Sequence, residues 1–346
     1  MNGSAGALRR YLPQIATLIV ILALNTAVFP QFLELTIQNG RLYGSLIDIL
    51  NRGAPVALLS IGMTLVIATK GIDLSVGAVM AICGAVAASS VAAGEGTATA
   101  ILAALAVGLA CGAWNGFLVA VLGIQPIVAT LILMVAGRGI AQLITEGVIV
   151  TFSDPGLAYF GSGALLGLPM PVILWLAAGI VAALIVRKTA LGMLIEAIGV
   201  NRRASSLSGV NSRVLLVTVY MASGLCAAIS GIIVAADIRG ADANNAGLWL
   251  ELDAILAVVL GGTSLLGGRF TLFGSLIGAM IIQSINTGIL LSGFPPEFNL
   301  IIKAVIIMLI LVIQSPAIRN AMVFWRGEPK ERPELLQEEP KEGSAP

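Results

Sequence analysis

The sequence contains no histidine, only three cysteines, and 11% charged residues. Each shortage excludes something. Without histidine, the usual zinc ligand sets and the Ser-His-Asp relay lack their central member. Cys83, Cys111 and Cys226 lie inside apolar runs, at spacings that fit neither a disulfide framework nor a metal site, and read as small packing residues. Soluble domains average about 25% charged residues, so this chain is poor in charge of both signs. Its net charge of +1 leaves no basic footprint for nucleic acid. No G-x-x-x-x-G-K-[ST] occurs, so the chain has no P-loop with which to hold ATP. Nor does it carry a series of buried acids with histidine for a proton relay.

What is abundant is apolar. The 346 residues are 58% hydrophobic, with a mean hydropathy of +1.00. A membrane-spanning helix needs about 20 apolar residues. Ten candidate spans are expected: 11–29, 53–69, 72–93, 99–122, 126–145, 171–186, 214–236, 252–267, 271–291 and 300–318. The first, after Arg9 and Arg10, lacks a clean small-residue cleavage site and reads as a retained span. The fold class is therefore an all-α polytopic membrane protein, a single transmembrane unit over 1–320. The segment 326–346, rich in Pro, Glu and Lys, cannot bury a core and reads as a disordered tail.

Ten spans put both ends on one side. That side collects Arg9, Arg10, Lys70, Arg187, Lys188, Arg202, Arg203, Arg213 and Arg269, against mainly Arg41, Arg52 and Arg239 opposite. The positive-inside rule makes it cytoplasmic, and with it the basic loop 187–213.

Two stretches resemble each other: "GIDLSVGAVMA" (71–81) and "GLWLELDAILA" (247–257), which share Gly71/Gly247, Leu74/Leu250, Ala78/Ala254 and Ala81/Ala257. Downstream, "WNGFLVAVLGIQP" (114–126) and "INTGILLSGFPP" (285–296) run in the same order. On the expected topology Gly71 is cytoplasmic and Gly247 external, so the halves, about 1–165 and 166–320, are inverted. Inverted repeats with broken helices are a transporter feature, with the pathway at their interface.

The polar break at 69–78 gains meaning from this pairing. Gly71 permits the break, and Asp73 and Ser75 are placed to cap the next helix. Two roles are open to Asp73: a cap paired with Lys70, or a place in the pathway. Irregular backbone at membrane depth must be covered by protein or line a watery cavity. In the second half Glu251 and Asp253 hold the related place, and Asn244 and Asn245 lie just upstream among amides suited to hydroxyls or to an ordinary wet loop. Intramembrane polar residues are costly and mark function or interhelical bonds; Asn115, Arg138, Gln283, Asn286 and Lys303 qualify. Asn115 and Asn286 occupy related repeat positions. Arg138 is expected on backbone carbonyls or a helix end. The tentative pathway set is thus Asp73, Ser75, Asn115, Asn244, Asn245, Glu251, Asp253 and Asn286.

The loop "RKTALGMLIEAIGVNRRASSLSGVNSR" (187–213) predicts a short surface helix over 192–207, with Leu194, Ile198 and Leu207 against the spans and Glu196, Arg202 and Arg203 outward. It serves either as a topology anchor or as a dock for a cytoplasmic partner. A transporter with no motor of its own is a passive pore or docks one.

"GIDLSVGAVMA" together with "EAIGVNRRASSLSGVN" resembles the permease subunits of bacterial sugar ABC importers of the ribose and galactose type. The second segment looks like their coupling loop at Glu196, Ala197, Gly199, Asn201, Arg202, Arg203, Ala204, Ser208 and Gly209, with Ser205 a mild departure. Longer stretches, such as "IVAADIRGADANNAGLWLELDAILAVV", look closer to galactofuranose importer permeases. The resemblance implies a periplasmic sugar-binding protein, a cytoplasmic ABC ATPase that holds ATP and Mg, and a second permease, paralogue or copy. This chain would then bind no cofactor, hydrolyse nothing, and reside in the bacterial inner membrane. The alternatives are a passive channel or facilitator and a membrane enzyme; the latter would need an acid/base or metal cluster beyond Glu251 and Asp253.

Overall fold

In the computed structural model, residues 3–38, 40–293 and 295–314 are described. They form fourteen α-helices: α1 (Gly3–Val28), α2 (Ser45–Arg52), α3 (Ala54–Ala68), α4 (Val76–Ala92), α5 (Thr97–Ala120), α6 (Pro126–Ile144), α7 (Pro155–Ser162), α8 (Met170–Lys188), α9 (Leu191–Val200), α10 (Arg202–Leu207), α11 (Ser212–Ile238), α12 (Leu250–Leu260), α13 (Leu272–Leu291) and α14 (Pro296–Gln314). One compact unit ends at Ile301; the remainder of α14, from Ile302, belongs to a second.

Among the described residues six helices are long and apolar enough to cross a membrane: α1 from Tyr11, α5, α6, α8, α11 and α13. The pair α2 and α3, bent by 44°, makes a seventh if taken as one span. The chain is thus mostly helical and multi-pass. The expected count of ten is not reached, because α4 has 17 residues and α12 only 11. At 1.5 Å per residue, α12 is about 16 Å long against a hydrocarbon core of about 30 Å. The apolar letters of 252–267 continue past Leu260, but the helix does not. Gly262 turns left-handed (φ +85°), Thr263 N–H donates to the Val258 carbonyl (3.2 Å), and Gly262 N–H donates to that of Val259 (2.9 Å). This is a glycine-terminated C-cap. The expected span 300–318 runs on beyond Gln314, and the tail 326–346 lies wholly outside the described residues.

The core centres on α3 and α11. Every residue of α3 is buried, and α11 lies against α3, α4, α5 and α7. Small residues allow this. Gly108, Gly112 and Gly116 recur every four residues along one face of α5. A Cβ on Gly112 would stand 2.7 Å from Met221 Cα, and one on Gly116 2.7 Å from Val217 Cα. The backbones of α5 and α11 are therefore in near contact, as small-xxx-small interfaces in membranes require. The outer helices α1, α6 and α8 instead expose Ile19, Leu24, Ile132, Val135, Ile180 and Val181, side chains suited to hydrocarbon. One short strand pair, Val150–Thr151 with Gly240–Ala241, ties the loop after α6 to the loop after α11.

The loop 187–213 holds two helices rather than one over 192–207. The backbone breaks at Asn201 (φ −152°), whose side chain caps α10 by accepting from Ala204 N–H (3.0 Å). Redirected there, α10 carries Leu207 outward, 83% exposed. The buried apolar contacts are Ile195 and Ile198, with Leu194 half-buried.

Candidate functional site

The break between α3 and α4 is where buried polarity concentrates. Its left-handed residue is Lys70 (φ +64°), not Gly71. That conformation is unfavourable for non-glycine residues, and bonds at both ends of Lys70 hold it. Lys70 N–H donates to the Ile67 carbonyl (2.9 Å), and Nζ to the Val200 carbonyl (3.1 Å), at the C-terminal end of α9. Carbonyls there lack helical partners and attract cations. The expected Asp73–Lys70 pair is therefore not formed. Gly71 instead leaves room for its neighbours, since a Cβ there would lie 2.7 Å from Tyr220 Oη and 2.9 Å from Val66 Cγ1.

Asp73, 2% exposed, anchors a polar thread across three elements. Its Oδ1 accepts from Ser75 N–H (3.1 Å) and Ser75 Oγ (2.6 Å), and its Oδ2 from Ser223 Oγ of α11 (2.8 Å). Asn115 of α5 donates through Nδ2 to Ser75 Oγ (2.8 Å). Thr130 of α6 braces the same stretch: its Oγ1 accepts from Leu74 N–H (3.1 Å) and donates to the Ile72 carbonyl (3.2 Å). Asp73 thus binds the turn before α4, but the Ser75 side chain makes no capping bond to the helix. Two atoms in this region lack any partner among the described residues, Asn115 Oδ1 and Tyr220 Oη.

The second break, 239–249, meets the first. A Cβ on Gly77 would fall on the Gly247 carbonyl and on Glu251 Oε2, and one on Gly247 would fall on the Gly77 carbonyl. The starts of α4 and α12 therefore abut, backbone to backbone. Glu251 and Asp253 are both buried in the first turn of α12, where a helix N-terminus favours negative charge. Arg138 donates from Nη1 to the Ala243 (3.0 Å) and Ala246 (2.6 Å) carbonyls, as the sequence led one to expect. Asn244 and Asn245 are exposed. Gln142 Nε2 donates to Asn244 Oδ1 (2.7 Å), and Asp242 accepts from the N–H groups of Asn244 and Asn245 and from Asn245 Nδ2. Those bonds, Asn245's side chain first, hold the Asp242 carboxyl below the usual carboxylate range. Asn286 is half-buried on α13, outside the Asp73 thread, with Oδ1 unpartnered among the described residues.

The α9–α10 hairpin packs on the first break. A Cβ on Gly199 would fall on the Ala68 carbonyl and 2.5 Å from Gly268 N, and Gly268 N–H itself donates to that carbonyl (2.9 Å). Arg202 Nη2 donates to the Ala120 carbonyl (3.2 Å) at the end of α5. Ser208 Oγ donates to the Ala204 carbonyl (3.1 Å), Gly209 turns left-handed (φ +87°), and Glu196 and Ala197 are half-buried. Between hairpin, break and the α5–α6 turn opens a cleft of about 490 Å³, bordered by Lys70, Gly71, Gln125, Arg202, Arg203 and Tyr220. The structure therefore gathers Asp73, Ser75 and Asn115, groups Glu251 with Asp253, and leaves Asn244, Asn245 and Asn286 apart. Sequence reading passed over Tyr220, Ser223 and Thr130. A stripe of Tyr220, Ser223, Ala227 and Ser230 along one face of α11 was the available signal.

A multi-pass helical chain with paired breaks, a basic two-helix loop and a polar thread defines a membrane permease. The family described as "Branched-chain amino acid transport system / permease component" matches residues 45–311, and the chain belongs to it. The chain is 63% identical to the galactofuranose transporter permease protein YtfT of Escherichia coli (strain K12), over 88% of this chain and 89% of that protein. It is 44% identical to the fructose import permease protein FruF of Bifidobacterium longum (strain NCC 2705), over 88% of each chain. It is 40% identical to the ribose import permease protein RbsC of Escherichia coli (strain K12), over 86% and 91%. No solved structure gives a significant match. The chain is a transport component, not an enzyme.

Proposed function

We propose that this chain is the membrane-spanning permease of an ATP-driven sugar importer and that its substrate is galactofuranose. The observation that carries the reading is the 63% identity with a galactofuranose permease over 88% of the chain. The related fructose and ribose import permeases support the sugar class. On this reading a periplasmic binding protein delivers the sugar near 237–253, and a cytoplasmic ABC ATPase, which holds ATP and Mg, docks on 187–213. A second permease, paralogue or copy, completes the pathway. The chain sits in the inner membrane with both termini cytoplasmic, and 326–346 is a tail on that side.

The halves 1–165 and 166–320 are inverted, and the full set of spans is ten when the broken helices are counted with their loops. Packing supports this. The second half's α11 packs on α4 and α5, and the first half's α3 packs reciprocally on α12 and α13. The abutting starts of α4 and α12 lie where the two halves meet.

Closure of the ATPase would press on Glu196, Ala197, Asn201, Arg202, Arg203, Ser208 and Gly209. Through Gly199 against Ala68, and Lys70 against Val200, that push reaches the break and the Asp73 thread. Asp73, Ser75, Asn115, Glu251, Asp253 and Asn286 then line or shape the route, and Asn244 and Asn245 its external mouth. A neutral solute suits a route whose described buried charges are few and largely bonded to protein.

The test is uptake of labelled galactofuranose by vesicles holding all subunits, with competition by furanose and pyranose forms. Competition by furanose forms alone supports the assignment. Pyranose galactose outcompeting the furanose would remove it.

A further inference from the structure

Arg138 stands inside α6, a helix long and apolar enough to cross a membrane. A guanidinium in such a segment is costly, and where it persists it has a partner and a task. Two acids, Glu251 and Asp242, lie within Coulombic reach. The hydrogen bonds go elsewhere. Nη1 donates to the Ala243 (3.0 Å) and Ala246 (2.6 Å) carbonyls, both in the loop before α12. Every residue offers such a carbonyl, so the arginine holds the path of the loop's backbone rather than a particular side chain. One turn further on, Gln142 Nε2 donates to Asn244 Oδ1 (2.7 Å) in the same loop. Residues four apart share a helix face, so α6 grips the loop at Ala243, Asn244 and Ala246.

The same helix holds the other break. About two turns before Arg138, the buried Thr130 accepts Leu74 N–H at Oγ1 (3.1 Å). Gly137 seats the helix closely on α4, since a Cβ there would lie 3.2 Å from both Ala78 Cβ and Ile82 Cδ1. From Thr130 to Arg138 the axis rises about 12 Å, and α6 runs unbroken from Pro126 to Ile144. A displacement at one bonded point is therefore carried to the other. The abutment of Gly77 on Gly247 fixes where the two breaks touch, but it does not reach 242–246. We infer that Arg138 is a positioning residue for import: it fastens loop 242–246 to α6, and through α6 and Thr130 the loop follows the break at 69–75. Arg138 need touch no sugar for this. When the α9–α10 hairpin moves the break, the external mouth changes shape in step.

This inference rests on the import reading, and its test separates the two. The permeases and the ATPase are assembled in nanodiscs, where both faces are reachable. The native cysteines of this chain are replaced, and one new cysteine is introduced: Leu248→Cys in the mouth loop or Gln125→Cys at the start of α6, both exposed positions. Rates of reaction with a maleimide are compared without nucleotide and with ATP and vanadate. Both rates are expected to depend on nucleotide in the chain with Arg138. Arg138→Met keeps the stem and loses the donors. With it, the dependence at 248 is expected to vanish while that at 125 remains. A merely structural arginine would, when replaced, lower the thermal midpoint and leave the dependence at 248 intact; that result overturns the inference. A mouth position indifferent to nucleotide with Arg138 in place overturns it too, as does loss of the dependence at both positions in Arg138→Met. Should that variant fail to assemble, Gln142→Leu removes a single exposed bond and is expected to weaken the dependence at 248; an unchanged dependence contradicts the grip. Uptake of labelled galactofuranose by vesicles holding all subunits decides the other question. No uptake removes the import reading, while the labelling still judges whether α6 ties the two breaks.

Discussion

Ser223 contributes a single hydroxyl, but it closes the Asp73 carboxylate against water and lipid alike. Ser223→Ala would leave Oδ2 of a buried carboxylate without its donor. The cost is about 1–2 kcal/mol, expected as a thermal midpoint lowered by a few degrees in the detergent-solubilised chain; an unchanged midpoint would show that Oδ2 needs no donor. Gly71→Ala has a different logic. The methyl would press on Tyr220 Oη and Val66 at 2.7 and 2.9 Å, so either the phenol or the break must move. Import by the assembled system should fall, since the break between α3 and α4 must shift to accept the methyl. Wild-type import in Gly71→Ala would mean that the space above Gly71 is idle. Lys70 separates two effects. Glycine there relieves the left-handed backbone but removes the bond to Val200, so Lys70→Gly should keep or raise the thermal midpoint while more ATP is hydrolysed per sugar moved. Unaltered stoichiometry would remove Lys70 from the transmission path.

Among the elements, the junction of α9 with the end of α3 is the tightest contact of the α9–α10 hairpin with the rest of the protein. Gly199→Val would drive a side chain into the Ala68 carbonyl. Overpacking of this kind costs about 1–3 kcal/mol, and here it should displace α9, so that less ATPase co-purifies with the variant than with wild type. Equal recovery would contradict the docking role. The hairpin also shows what sequence can and cannot carry. Its place between α8 and α11, its basic character and its contact with the rest of the protein were legible in "RKTALGMLIEAIGVNRR". Its break was not, because Asn201 reads equally well as a helix interior residue or as a cap until Ala204 N–H is seen to bond it. Likewise the break at 69–75 and the capture of Arg138 by carbonyls were legible, since charge inside an apolar run has few stable fates. The length of α12 was not, since buried apolar residues look alike in a span and in an 11-residue helix. Tyr220 and Ser223 escaped notice for a tertiary reason: only the crossing of α11 on α3 and α5 makes them neighbours of Asp73. Gly108, Gly112 and Gly116 spell that crossing in their spacing.

At the scale of the molecule, the proposed orientation puts α9–α10 in the cytoplasm and the Asn244 loop outside. Both Leu207 and Asn244 are exposed, and a cysteine at either would be reachable. With the three native cysteines replaced, a membrane-impermeant maleimide should label Asn244→Cys in spheroplasts and Leu207→Cys only in inside-out vesicles. Labelling of both from one side would overturn the orientation. The central claim is that this chain moves sugar only when a partner ATPase drives the α9–α10 hairpin against the break. The most direct measurement is the ratio of internal to external labelled galactofuranose in proteoliposomes, with and without ATP, for the full set of subunits and for the chain alone. The account predicts accumulation well above equilibrium only with the full set and ATP. Equilibration of sugar by the chain alone, unaffected by ATP, would contradict it and make the protein a passive channel.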